Sequence, residues 1–253
     1  MRYYIGNEVK SALHKRYCMW YVLGFVVLCI LANLSMICFR TIYGMNDGSF
    51  GYNLIIFAEG VFAIPYYSSI FIADIVFGKE YLDPRIRDKA TIGLSRTKLY
   101  MGKFLASLVL SIFFLIIAII GFIGITILFQ FNDGTIDRWT VLDFLEKVSV
   151  ALPLWVAGVS FGTMFLFLFK QKKKAFIWYF VVILLIPRLI MFLAAEPFQL
   201  PPFTYITKIL ITPEFNALQF YFTMNKGKNY LLGFVYTLLT CCIGIWNFNK
   251  REF

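Results

Sequence analysis

At 253 residues, with 60% hydrophobic and 19% aromatic side chains and a mean hydropathy of +0.75, the chain lies far above the roughly 45–50% apolar content of ordinary globular domains. At about 20 residues per crossing it holds about six helices in one transmembrane domain, 1–253, which excludes a soluble enzyme and leaves no room for a separate soluble domain. The formal charge of +10 does not signal nucleic acid, because seventeen of the 24 basic residues fall within Arg2 to Arg16, Lys79 to Lys103, Lys170 to Lys174 and Lys250 with Arg251, the stretches that the positive-inside rule assigns to the cytoplasm.

In chain order, residues 2–16 set Ile5, Val9, Ala12 and Leu13 at helical spacing, with Glu8, Lys10 and Lys15 off that stripe. This predicts an interfacial helix on the inner leaflet. Tyr17 to Phe39 is the first span; its length argues against a cleavable signal peptide. An Asn46-Asp47-Gly48 turn leads to a second span, Leu54 to Phe77, which carries Glu59, Pro65 and Asp74. After the polar stretch 78–98 comes a third span, Phe104 to Phe129, and then an outer connector running to Lys147, with a short helix at 141–145. Val148 to Phe169 is the fourth span, interrupted near its start by Pro153, and Ala175 to Ala195 the fifth, with Pro187 and Arg188 in its outer half. Residues 196–229 are too apolar for a solvated loop and too broken by Pro197, Pro201, Pro202 and Pro213 for a span. They read as short helices dipping into the outer leaflet, one starting at Thr212-Pro213-Glu214 with a capping hydroxyl. Tyr230 to Phe248 is the sixth span, so both termini are expected in the cytoplasm.

Among the candidate site residues, Glu59 and Arg188 are both placed by residue counting about 8–10 Å from the outer face of the hydrocarbon core. Either they form an intramembrane ion pair, or each separately snorkels or faces a watery vestibule. Asp74, near the inner end of span two, is either a transport residue or a group that meets interfacial water or a nearby lysine. Tyr66 and Tyr67 either line a substrate path or belong to the aromatic belt. The five cysteines show no C-x-x-C spacing and His14 is the single histidine, so no metal site is expected. None of the Gly-Lys pairs at Gly78, Gly102 and Gly227 lies in a phosphate-cradling G-x-x-x-x-G-K-[ST] loop.

The segment from Gly78 to Lys103 holds an acid after the second span, Glu80, then a basic amphipathic stretch leading to Ile92-Gly93, Ser95-Arg96, Tyr100 and Lys103. It resembles the cytoplasmic segment of ABC-2-type transporter permeases, with Pro84-Arg85 where the family usually has Gly and a small hydroxyl residue. The layout is similar too: N-terminal interfacial helix (2–16), coupling segment after span two (78–98) and re-entrant outer helices before span six (196–229). The resemblance implies an all-α type V exporter-like fold. It implies a permease that exports an amphipathic substrate such as a peptide, lipid-linked molecule or drug, dimerises with itself or a related permease, and sits among lipids in a cell membrane, with bacterial origin suggested by composition. Two copies of a separate ATP-binding subunit would carry ATP and Mg, this chain holding no cofactor. They would contact Glu80, Asp83, Arg85, Arg87, Asp88, Lys89, Ser95 and Arg96. The residues alone leave two other readings open, a secondary transporter with Glu59 or Asp74 as proton carrier, and a non-transporting immunity or sensor subunit.

Overall fold

The computed structural model describes residues 1–43, 50–77, 95–130, 137–169, 171–195, 198–218 and 224–250, and these contain helices and no strand. We number the helices α1 (Arg2–Leu13), α2 (Arg16–Tyr43), α3 (Phe50–Gly60), α4 (Ala63–Phe77), α5 (Arg96–Phe129), α6 (Arg138–Leu168), α7 (Lys172–Phe180), α8 (Ile186–Ala194), α9 (Pro201–Thr207), α10 (Ile211–Ala217) and α11 (Lys226–Lys250). Among the described residues, five runs are long and apolar enough to cross a membrane: α2, α5, α6, the run Lys172–Ala194 and α11. The pair α3 and α4, bent by 59°, makes a sixth if taken as one span. The chain therefore has the character of an all-α, multi-pass membrane protein.

The centre of the bundle is α6. In its most apolar window 78% of the residues are buried, against 11% in α2 and α5. Small residues allow this. A Cβ on Gly162 would stand 3.0 Å from the Ile70 Cα, and one on Gly158 would meet Tyr66, so α4 and α6 touch nearly backbone to backbone. On its other side α6 meets α11, where a Cβ on Gly233 would lie 2.5 Å from the Pro153 carbonyl carbon. Ser160 and Thr240 share a hydrogen bond across that contact.

The fourth span starts earlier than the sequence suggests. Asp137 caps α6, accepting from the Thr140 amide and hydroxyl at 2.7 Å each, and those bonds, the hydroxyl's first, hold its carboxyl below the usual range. From that cap the helix runs unbroken through Pro153. The expected short helix at 141–145 is thus the first part of α6, and Lys147 lies inside the bundle, not on a connector.

Two spans are irregular, each at a proline. Between α3 and α4 the chain turns at Val61 and Phe62, just ahead of Pro65, and the Trp155 indole donates to the Phe62 carbonyl at 2.7 Å. A break at membrane depth needs such a partner. In the fifth span Val181–Leu185 forms a π turn ahead of Pro187, the Ile186 amide reaching back to Val181. Proline brings no N–H to the Ile183 carbonyl, so the ladder widens before it.

The N-terminal helix is present, but Glu8 is not on a solvated face. It is buried and paired with Lys103 at 2.7 Å, while Ile5 and Val9 pack with the buried cluster that includes Ala12, Ile72 and Leu110. The outer segment does contain short helices, α9 and α10. Thr212 does not cap α10, which begins one residue earlier after Leu210; its hydroxyl accepts from Tyr67 at 3.5 Å.

Candidate functional site

A cavity of about 680 Å³ lies between α2, the bent pair α3 and α4, α5 and α6. Phe25, Phe62, Leu115, Phe144 and Trp155 are among its walls. No charged side chain lines it among the described residues; its hydroxyls are those of Tyr21, Ser35, Ser68 and Ser111. Leu31, Phe57 and Ile64, also in the walls, are 56%, 60% and 57% exposed, so the cavity opens sideways. In a bilayer that opening faces lipid. The bend between α3 and α4 contributes directly, since Ala58, Val61, Phe62 and Pro65 all line the space.

Next to one end of the cavity is a buried charge cluster. Glu59 and Lys147 pair at 2.8 Å with side chains 2% and 7% exposed, and Lys147 also meets Asp143, 42% exposed, at 2.9 Å. Their chain neighbours Ala58, Phe144 and Val148 are cavity walls. The partner of Glu59 is therefore Lys147 and not Arg188, which is exposed and makes no ion pair among the described residues. The physical reason is the early start of α6: nine residues of helix past Arg138, about 14 Å, bring Lys147 to the depth of Glu59.

The other acids and tyrosines singled out from sequence stand outside this cavity. Asp74 pairs with Lys172 on α7 at 2.6 Å. Tyr66 is buried against Phe215, ring centroids 5.4 Å apart, and its carbonyl accepts from the Tyr179 hydroxyl at 2.8 Å. Tyr67 points to α10 through Thr212.

At the end of the bundle that carries α1, one lysine forms a joint. Lys103, 2% exposed, binds Glu8 of α1, donates to the Val76 carbonyl of α4 at 3.3 Å, and lies 5.7 Å from the centroid of the Phe77 ring. Lys15 adds a hydrogen bond to the Ile75 carbonyl. Of the resembling segment, Glu80, Asp83, Arg85, Arg87, Asp88 and Lys89 lie outside the described residues. Ser95 caps α5, accepting from the Lys98 amide at 3.3 Å, and Arg96 donates to the Asn249 carbonyl at 2.9 Å. Tyr100 is fully buried against Gly244 of α11 and Phe167 of α6.

Sequence reasoning missed Lys147, Trp155 and the Glu8 to Lys103 bond. The first two were findable: Phe144, Val148, Ala151 and Trp155 continue one helical stripe across Pro153. Among the described residues, no group of three His, Cys, Asp or Glu is placed to hold a metal. Compared with known proteins, the chain matches no family model and no curated protein.

Proposed function

We propose that this chain is the permease subunit of an ATP-binding cassette exporter of the ABC-2 type, moving an amphipathic substrate while a separate ATPase chain supplies the energy. The observation that carries the reading is the Lys103 joint. Residues 78–94 connect α4, which ends at Phe77, to α5, which Ser95 caps, and Lys103 ties α1 to α5 and to the last turn of α4. A push on that segment by a partner therefore moves α4 and α5 together, and both are walls of the apolar cavity. Packed elements of this kind move as rigid bodies and not by bending. In this reading the α1 end faces the cytoplasm of a bacterial cell, two copies of the permease pair, and two ATPase subunits dock on residues 78–98.

The buried Glu59, Lys147 and Asp143 cluster favours a second reading, an ion-coupled transporter in which the pair opens and closes with the ion. The two differ in partner. Affinity purification of the tagged chain from solubilised membranes is expected to recover a Walker-type ATPase at about one copy per permease. Charge reversal of Arg87 and Asp88 is expected to release it with no change in thermal stability. Purification without any ATPase, under conditions that keep the permease folded, rejects the proposal.

A further inference from the structure

The cavity and the charge cluster together describe more than an opening for apolar molecules. Along α5 the walls run from Leu108 to Phe122, fourteen residues or about 21 Å, longer than the roughly 15 Å that acyl chains cover in one leaflet. The walls are apolar and their opening is lateral, so the guest is a long apolar body that enters from the bilayer. At the Phe144 end two carboxylates, Glu59 and Asp143, share one ammonium, that of Lys147. Among the described residues the cluster keeps one negative charge, Glu146 close by being paired with Lys226. Glu59 is the buried partner at 2% exposure, so the excess sits on Asp143, whose side chain is 42% exposed. Asp137 and Arg138, a turn or more beyond, offset each other.

We propose that the cavity is a binding site for cationic amphiphiles, an alkyl or comparable apolar body in the slot and a positively charged head at Asp143. Without Asp143 the Glu59 and Lys147 pair is neutral and offers a cationic head no net attraction, and with it an anionic head meets the excess negative charge of the cluster. The same arrangement therefore selects for charge as well as for apolarity. This rests on the cavity used in the transport reading, but the two fail separately: a missing ATPase leaves this binding intact, and absent binding leaves an ATPase complex intact.

Trp155 provides the readout. It is 6% exposed, lines the cavity, and lies twelve residues from Asp143 on α6, about 18 Å. The other tryptophans, Trp20, Trp139, Trp178 and Trp246, are all exposed and replaceable by Phe. The full chain with Trp155 alone, in nanodiscs of zwitterionic lipid, is titrated with dodecyltrimethylammonium brominated at its terminal carbon, and with the equally brominated dodecanoate. A chain with Trp178 alone reports how much of each probe enters the bilayer. The expected result is saturable quenching of Trp155 by the cation at a membrane concentration at least tenfold below that of the anion. Asp143→Asn, which leaves Lys147 paired with Glu59, is expected to reduce that preference to about twofold. Ala118→Phe, filling the slot, is expected to abolish quenching of Trp155 and spare Trp178. No saturable quenching of Trp155, equal quenching by both probes, or a preference unchanged in Asp143→Asn overturns the proposal.

Discussion

Replacing Lys147 by Met is the sharpest perturbation of the buried cluster. Met fits the volume of the lysine stem, so the change removes the ammonium with little loss of packing. Glu59, at 2% exposure and bonded to that ammonium at 2.8 Å, is then a buried carboxylate without its partner. Breaking a buried pair in this way costs about 3–5 kcal/mol. At roughly 2–4 °C per kcal/mol for a chain of this size, the melting temperature should fall by about 6–20 °C. Glu59→Leu should cost less, because Lys147 keeps Asp143 at 2.9 Å and that carboxylate is partly solvated. The double variant Glu59→Leu with Lys147→Met should recover most of the loss, since a well-packed apolar pair replaces the ions. Arg188→Gln, at an exposed site with no ion pair among the described residues, should stay within about 0.5 kcal/mol of the parent. Tryptophan fluorescence during heating in detergent measures all four. A melting point for Lys147→Met within 2 °C of the parent, or a double variant no better than the worse single, refutes the pairing.

Three further outcomes follow from contacts elsewhere. Lys103→Met should detach α1, seen as faster amide hydrogen exchange across Arg2–Leu13 while α6 stays protected, because the Glu8 bond at 2.7 Å and the Val76 bond are both lost. Gly233→Leu should lower the melting temperature by several degrees, since its side chain meets the Pro153 backbone, whereas Gly24→Leu, with nothing within 4 Å of the added carbon, should leave it unchanged. The start of α6 should be acid-sensitive. The Asp137 carboxyl is held below its usual range in the folded chain, so its cap is in full effect above the ordinary Asp value of about 3.9 and is lost as the pH falls through the lowered one. Exchange at residues 138–141 should accelerate in that acid window, and Asp137→Asn should remove the dependence.

The membrane spans were legible because apolar runs of 20 or so residues have few alternatives in water. Their ends were not. The outer connector was expected to run to Lys147 and Pro153 to interrupt the fourth span, yet Asp137 caps a single helix and the proline sits inside it where Gly233 packs against its backbone. Once Lys147 was counted as a loop residue, Arg188 was left as the cation of matching depth for Glu59, and the wrong partner followed. Depth along a helix is readable from residue counts; the face of the helix is readable only when the neighbouring helix is known. Lys103 shows the same limit. In sequence it closes a motif, and only the folded chain brings Glu8, ninety-five residues away, onto its ammonium. The cavity was not legible at all, because it exists where α3 and α4 part at an angle of 59°, and hydropathy reads those residues as one continuous span.

What powers the bundle is tested most directly by the surroundings of Trp155 while energy is supplied. The chain with Trp155 as its single tryptophan is reconstituted into vesicles with and without the copurified ATPase, and its emission is followed on adding ATP or on imposing a pH gradient. The expected result is a spectral shift with ATP that needs the ATPase, is abolished by charge reversal of Arg87 and Asp88, and has no counterpart under a pH gradient alone. A shift driven by the pH gradient in vesicles that lack the ATPase contradicts the exporter reading and makes Glu59 or Asp74 a proton carrier.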